Sequence, residues 1–200
     1  MGRARLRGLD IAPDALVLPV AVAVLVILAA LGGEQARMML RYERTAVLDG
    51  EWWRLATAHV VHLGWSHTCL NLAGLGLVWS LFASTLRGWN GVRVLLASIA
   101  AIDAGFLLNE PHLAWYVGFS GALHGLFAAG VVTGIAARER EAWLLGAMLA
   151  AKLAWEQWAG PVPFTEAVAG GPVVESAHLY GAIGGLCARL VAMRPRRPRL

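Results

Sequence analysis

Stretches of apolar residues about as long as a bilayer is thick recur six times in this 200-residue chain, and nothing constrains its fold more. A helix needs about 20 residues to cross the hydrocarbon core. The runs cover Leu16–Leu31, His67–Leu86, Val92–Leu108, Gly118–Ala137, Ala142–Trp158 and Ser176–Met193. Composition agrees: 58% of residues are hydrophobic before the 23 glycines are counted, and only 15% are charged. A soluble domain averages roughly 45–50% apolar with glycine included and about 25% charged, so this chain has too few polar groups to coat a ball in water. The expected fold is an all-α membrane protein, a six-helix transmembrane bundle filling residues 1–200 as a single domain. A soluble enzyme and a nucleic-acid binder are excluded.

The formal charge of +4 reflects arginines at the ends of the apolar runs, the pattern that membrane topology selects. With the N-terminus inside, eleven arginines face the cytoplasm (Arg3, Arg5, Arg7, Arg87, Arg93, Arg138, Arg140, Arg194, Arg196, Arg197 and Arg199). Four (Arg37, Arg41, Arg44 and Arg54) face the other side. Both termini are therefore expected in the cytoplasm, with the longer connections, 33–66 and 159–175, outside. The first run could also be read as a secretory signal, but its exit, Leu31-Gly-Gly-Glu-Gln, offers no small-x-small cleavage site, which favours a retained span. Cys69 and Cys187 lie inside apolar runs and read as small core residues, without a disulfide or a C-x-x-C motif.

Polar side chains in a membrane are costly unless they face one another or a water-filled cavity. Runs two, four and six enter from the outer side in this topology, and their first turns carry His67 and Asn71, Ser120, and His178. Ser120 lies in Gly118-Phe-Ser-Gly121, a hydroxyl at a helix start flanked by residues that let a substrate backbone approach. Such a serine attacks a carbonyl once a base takes its proton; alone, it reads more readily as an N-cap beside packing glycines. His178 supplies a base, and Gly181 and Gly185 after it form a small-x-x-x-small face that permits a close crossing. Packed against the Gly118/Gly121 end of the fourth run, that face brings His178 to Ser120. No carboxylate is near either residue along the chain, so a Ser–His dyad is expected and a triad is not. His67 and Asn71, spaced i, i+4, share one helix face and can both donate to an oxyanion, or else join helices by hydrogen bonds.

His59, His62 and His67 raise the question of a metal, but H-E-x-x-H is absent and no carboxylate completes a zinc hydrolase site, so neither metal nor cofactor is expected. Trp52, Trp53 and Trp65 read as interfacial aromatics. Asp103, Lys152 and Glu156 are charges inside apolar runs: Lys152 can pair with Glu156 at i+4 or with Asp103 across helices, and Glu156 and Gln157 point toward the outer end, for structure or for substrate contact.

Four motifs, Glu51-Trp-Trp-Arg54, His62-Leu-Gly-Trp-Ser-His67-Thr-Cys-Leu-Asn71, Gly118-Phe-Ser120-Gly121 and Ala177-His178-Leu-Tyr-Gly181-x-x-x-Gly185, resemble in type and order the rhomboid intramembrane serine proteases. The resemblance implies a six-helix bundle, a Ser120–His178 dyad, and an oxyanion hole from His67, Asn71 and the Ser120 N–H, with Gly118, Gly121, Gly181 and Gly185 in support. Where bacterial members often carry a tyrosine four residues after the serine, this chain has His124. The stretch Ser120–Gly130, with Lys152-Leu-Ala-Trp-Glu156-Gln157, looks like the rhombosortase branch, in which exported proteins with a GlyGly-containing C-terminal anchor are the substrates. His124 then becomes a specificity or relay residue. The resemblance implies an endopeptidase of the bacterial inner membrane working among lipids, with its active site toward the periplasm. Its rivals are a catalytically silent, client-binding rhomboid-like protein and a small transporter with a polar pathway.

Overall fold

The computed structural model describes residues 13–193; the arginines expected at the two termini, Arg3, Arg5, Arg7, Arg194, Arg196, Arg197 and Arg199, lie outside them. A short 3₁₀ turn, Pro13–Ala15, leads into α1 (Val17–Leu31) and α2 (Gly33–Leu40). Then come β1 (Tyr42–Glu43), α3 (Arg44–Leu48), α4 (Trp53–Thr57), α5 (Trp65–Phe82), α6 (Trp89–Asn109) and β2 (Trp115–Tyr116). The chain continues as α7 (Ser120–Ala136), α8 (Arg140–Ala159), α9 (Thr165–Ala169) and α10 (Glu175–Met193).

Each apolar run of the sequence is thus one helix, α1, α5, α6, α7, α8 or α10. By length and composition, however, α6 alone among the described residues is long and apolar enough to cross a membrane singly. α1 and α2 pass that test together but are bent by 113° at Gly32, and α7 is apolar but has 17 residues. The six-run reading therefore outran composition. α5 spends positions on Ser66, His67 and Asn71, and α8 on Arg140, Glu141, Lys152, Glu156 and Gln157.

Two apolar clusters organise the packing. One joins α1, α5, α6 and α7 through Val26, Leu75, Phe82, Val94, Leu123 and Leu126. The other gathers Tyr42, Ile102, Phe106, Tyr116 and Ala177 beside the 33–66 connection. The tightest contact is α7 on α10. A methyl added to Gly181 would fall on the Gly121 carbonyl oxygen, and one added to Gly185 on that of Gly125, so these backbones approach as only glycine allows. α8, by contrast, buries only Ala142 and Glu156.

The long 33–66 connection is folded, not loose. Antiparallel pairing of Tyr42 with Tyr116 and of Glu43 with Trp115 ties it to the strand before α7. The Arg44 guanidinium donates to the carbonyls of Phe106 (2.9 Å) and Leu107 (3.2 Å), capping the end of α6. Arg54 donates to Arg41 O at 2.8 Å and to the Glu51 carboxylate at 2.6 Å. Trp52, Trp53 and Trp65 are exposed. Cys69 and Cys187 are also exposed, which corrects their reading as core residues: each lies on the outward face of its helix, where a weakly polar thiol costs little against an apolar environment.

Candidate active site

Ser120 is the first residue of α7, so its backbone N–H belongs to the helix's first-turn donors, which have no intrahelical acceptor. Gly118 makes the approach possible. Its φ of +125° is one that side-chain-bearing residues rarely adopt, and a Cβ there would stand 3.0 Å from His67 Cε1. Gly118 N–H donates to Ala58 O at 3.0 Å, and Tyr116 Oη–H to Gly118 O at 2.7 Å, so the turn before the serine is pinned at both ends.

Across the α7–α10 crossing, His178 Nε2 is 2.9 Å from Ser120 Oγ. The helix pair predicted to unite alcohol and imidazole does so, with Gly121 and Gly125 supplying the α7 side of the contact. His178 is buried. Its other nitrogen, Nδ1, lies 3.0 Å from Glu156 Oε2, and Glu156 Oε1 accepts from Lys152 Nζ at 2.6 Å. The expectation of an imidazole without a carboxylate is thereby overturned. Glu156 is 36 residues from Ser120 and 22 from His178 along the chain, so proximity in sequence could not reveal it. Only the packing of α8 beside α10 brings it there. Lys152 takes the i, i+4 partner, while Asp103 meets His59 Nε2 at 3.3 Å.

His67 and Asn71 line the same cavity of about 240 Å3 as Ser120, His124, Lys152 and His178. The Leu63 N–H donates to His67 Nδ1 at 3.4 Å, which leaves the proton of neutral His67 on Nε2. Asn71 donates one amide hydrogen to His67 O at 3.0 Å and keeps a second. Its buried Oδ1 has no hydrogen-bond partner among the described residues. An unpaired buried acceptor costs about 1–3 kcal/mol, a cost that stability alone gives no reason to bear.

His124 stacks on His178 with ring centroids 4.2 Å apart and planes at 20°, and its Nδ1–H donates to Ser120 O at 2.7 Å. Donor atoms of His124, Glu156 and His178 lie within 4.8 Å of one another, a metal-ligand combination different from the histidines weighed in the sequence. Stacked rings direct their lone pairs along parallel planes, however, whereas a zinc site needs them to converge on one point about 2.0–2.1 Å away. Both His178 nitrogens are also already engaged. His59 and His62 do not line the cavity. His62 Nε2 instead accepts from the Phe119 N–H at 3.4 Å, bracing the residue before the serine. Gln157 lies outside as well, reaching Glu175 O at 3.4 Å, and Gly181 and Gly185 serve the helix crossing and not the cavity wall.

Residues 49–195 match the Rhomboid domain. The chain belongs to the rhomboid family. This is a family of membrane proteins, and the chain is similar to two proteins of Bacillus subtilis (strain 168). It is 33% identical over 90 residues to rhomboid protease GluP, covering 44% of this chain and 17% of that protein. It is 35% identical over 85 residues to putative rhomboid protease YdcA, covering 40% and 41%. The chain thus spans less than half the length of either relative.

Proposed function

We propose that this rhomboid-family protein is a serine-type intramembrane endopeptidase of a bacterial inner membrane, with Ser120 as nucleophile and His178 as its base. The observation that carries the reading is the 2.9 Å contact between His178 Nε2 and Ser120 Oγ at the wall of a cavity. Family membership, and relatives named as proteases, point the same way. In the reaction, Ser120 Oγ attacks the scissile carbonyl while its proton passes to His178 Nε2. The oxyanion is met by the Ser120 backbone N–H, His67 Nε2–H and the second Asn71 amide hydrogen. The imidazolium then protonates the leaving amine, and a water molecule or an acceptor amine resolves the acyl-enzyme with the proton flow reversed.

The chain crosses the membrane six times in this reading, by α1, α5, α6, α7, α8 and α10, with both termini cytoplasmic. The site opens toward the periplasm, beneath the α9 segment that contributes Thr165 and Ala169 to the cavity. The substrates are exported proteins held by a GlyGly-containing C-terminal helix, as in the rhombosortase branch.

Co-expression with a GlyGly-tailed protein tests the proposal. Wild type shortens the tail, Ser120→Ala leaves it intact, and a fluorophosphonate labels wild type at Ser120. Cleavage by Ser120→Ala would refute the assignment. Client binding without shortening, together with no labelling, would favour the catalytically silent alternative.

A further inference from the structure

We infer that Glu156 is a positioning residue that holds His178 in the tautomer able to take the Ser120 proton, and that Lys152 holds Glu156 as a carboxylate for that task. The inference rests on the Ser120–His178 assignment and extends it to a four-member chain running across three helices. Ser120 Oγ is 2.9 Å from His178 Nε2, His178 Nδ1 is 3.0 Å from Glu156 Oε2, and Glu156 Oε1 is 2.6 Å from Lys152 Nζ.

Each contact constrains the next. A neutral imidazole has one N–H and one lone pair, and a general base must present the lone pair to the hydroxyl. A carboxylate at Nδ1 accepts a hydrogen bond and donates none, so the imidazole proton stays on Nδ1 and Nε2 stays free for Ser120. The Glu156 side chain is 1% exposed, so water cannot take its place. Lys152 Nζ stands 2.6 Å from the other carboxylate oxygen and 3.5 Å from His178 Nδ1, so both oxygens have partners and Oε2, at 3.0 Å, is the nearer partner of the ring nitrogen. When the serine proton arrives, the new imidazolium faces an anion 3.0 Å away. His124, stacked on a face of the imidazole, holds the ring plane.

A purely structural ion pair is the competing explanation. α8 buries just two residues, Ala142 and Glu156, and a helix that needed an anchor could use an apolar side chain there without the cost of dehydrating a charge. The burial of this one carboxylate at the imidazole is what a positioning role requires.

The experiment uses the full-length protein in detergent with a fluorophosphonate as probe, varying its concentration to separate the maximal labelling rate, kinact, from apparent affinity, KI. In the Ser-His-Asp template, replacing the carboxylate by its amide costs about 10⁴ in kcat with the geometry intact. Glu156→Gln should show the same sign and a kinact lower by about 10²–10⁴-fold, with KI changed by less than about threefold. Lys152 would take the new amide's oxygen and turn its NH₂ toward Nδ1, enforcing the wrong tautomer. Glu156→Asp, which keeps the charge, should recover part of the loss. Should Glu156→Gln fail to fold, the double variant Lys152→Met/Glu156→Leu removes both charges together and should fold yet label slowly. Wild-type kinact in folded Glu156→Gln, or in the folded double variant, overturns the inference and leaves the Ser120–His178 assignment standing. Labelling that survives Ser120→Ala, or a wild type that never labels, overturns that assignment and this inference with it.

Discussion

At Gly118 two requirements coincide, a φ of +125° and an imidazole edge where a Cβ would go. Gly118→Ala therefore strains the turn before Ser120 and displaces His67 from the cavity. Removing one oxyanion donor costs about 10²–10³ in rate, so cleavage and fluorophosphonate labelling should fall by about that factor while the helical signal of circular dichroism is kept. His124 is a milder case. Its ring stacks on His178, and a stacked pair is worth about 0.5–1.5 kcal/mol. His124→Ala should slow labelling by about 2- to 10-fold, and His124→Phe should restore most of it; a loss as deep as that of Ser120→Ala would instead place His124 in the chemistry. His62, in the stretch between α4 and α5, gives a pH dependence. Burial, and then the neighbouring His67, hold its pKa at about 3, below the ordinary 6.5. Between those values the unfolded chain binds the proton that the folded one refuses, so stability rises with pH across this window and is lost as pH falls from about 6.5 toward 3. Thermal melts at stepped pH should show that slope, and His62→Gln should make it shallower by one group's contribution.

The α7–α10 crossing is the element pair on which the site depends, since one helix carries Ser120 and the other His178. Its closeness comes from Gly121, Gly125, Gly181 and Gly185, each facing backbone of the partner helix. Gly181→Ala forces the backbones apart. Overpacking of this kind costs about 1–3 kcal/mol, and a shift of even 1 Å breaks a 2.9 Å hydrogen bond, so activity should disappear before the fold does. Gly76 in α5 is the control. Nothing lies within 4 Å of a Cβ added there, and alanine is the better helix former. Gly76→Ala should leave activity unchanged and keep or slightly raise the melting temperature. Parallel melts and labelling of the two variants separate a local effect of glycine from an effect of the crossing.

For the molecule as a whole, the proposed orientation makes a directional statement. The turn between α6 and β2, with exposed His112, should face the periplasm, and the start of α8, with exposed Glu141, the cytoplasm. In a chain whose two exposed native cysteines are replaced by alanine, His112→Cys should react with a membrane-impermeant maleimide in intact cells. Glu141→Cys should react only after permeabilisation. The reverse pattern would invert the topology and place the cavity at the cytoplasmic face. The same frame accounts for the outer connection: Arg44 on the end of α6 and the Tyr42–Tyr116 pairing fasten it over the second apolar cluster, next to the turn that presents Ser120.

Local patterning was enough to mark the helices, because an apolar run is a property of neighbours along a chain, and enough to nominate Ser120, His178, His67 and Asn71, because a polar group in such a run needs a partner. The glycine spacing after His178 even named the face through which α10 meets α7. It could not show that Glu156 joins His178, since α8 and α10 are linked by a connection whose path no periodicity encodes. Nor could it show that Asp103 answers His59, which of its two possible partners Lys152 takes, or that both cysteines face outward. Pairing between side chains far apart in the chain depends on how helices rotate and cross, and rotation is decided by packing over the whole bundle. The alcohol and the base were therefore legible as letters, whereas the carboxylate behind them exists only as a relation between three folded helices.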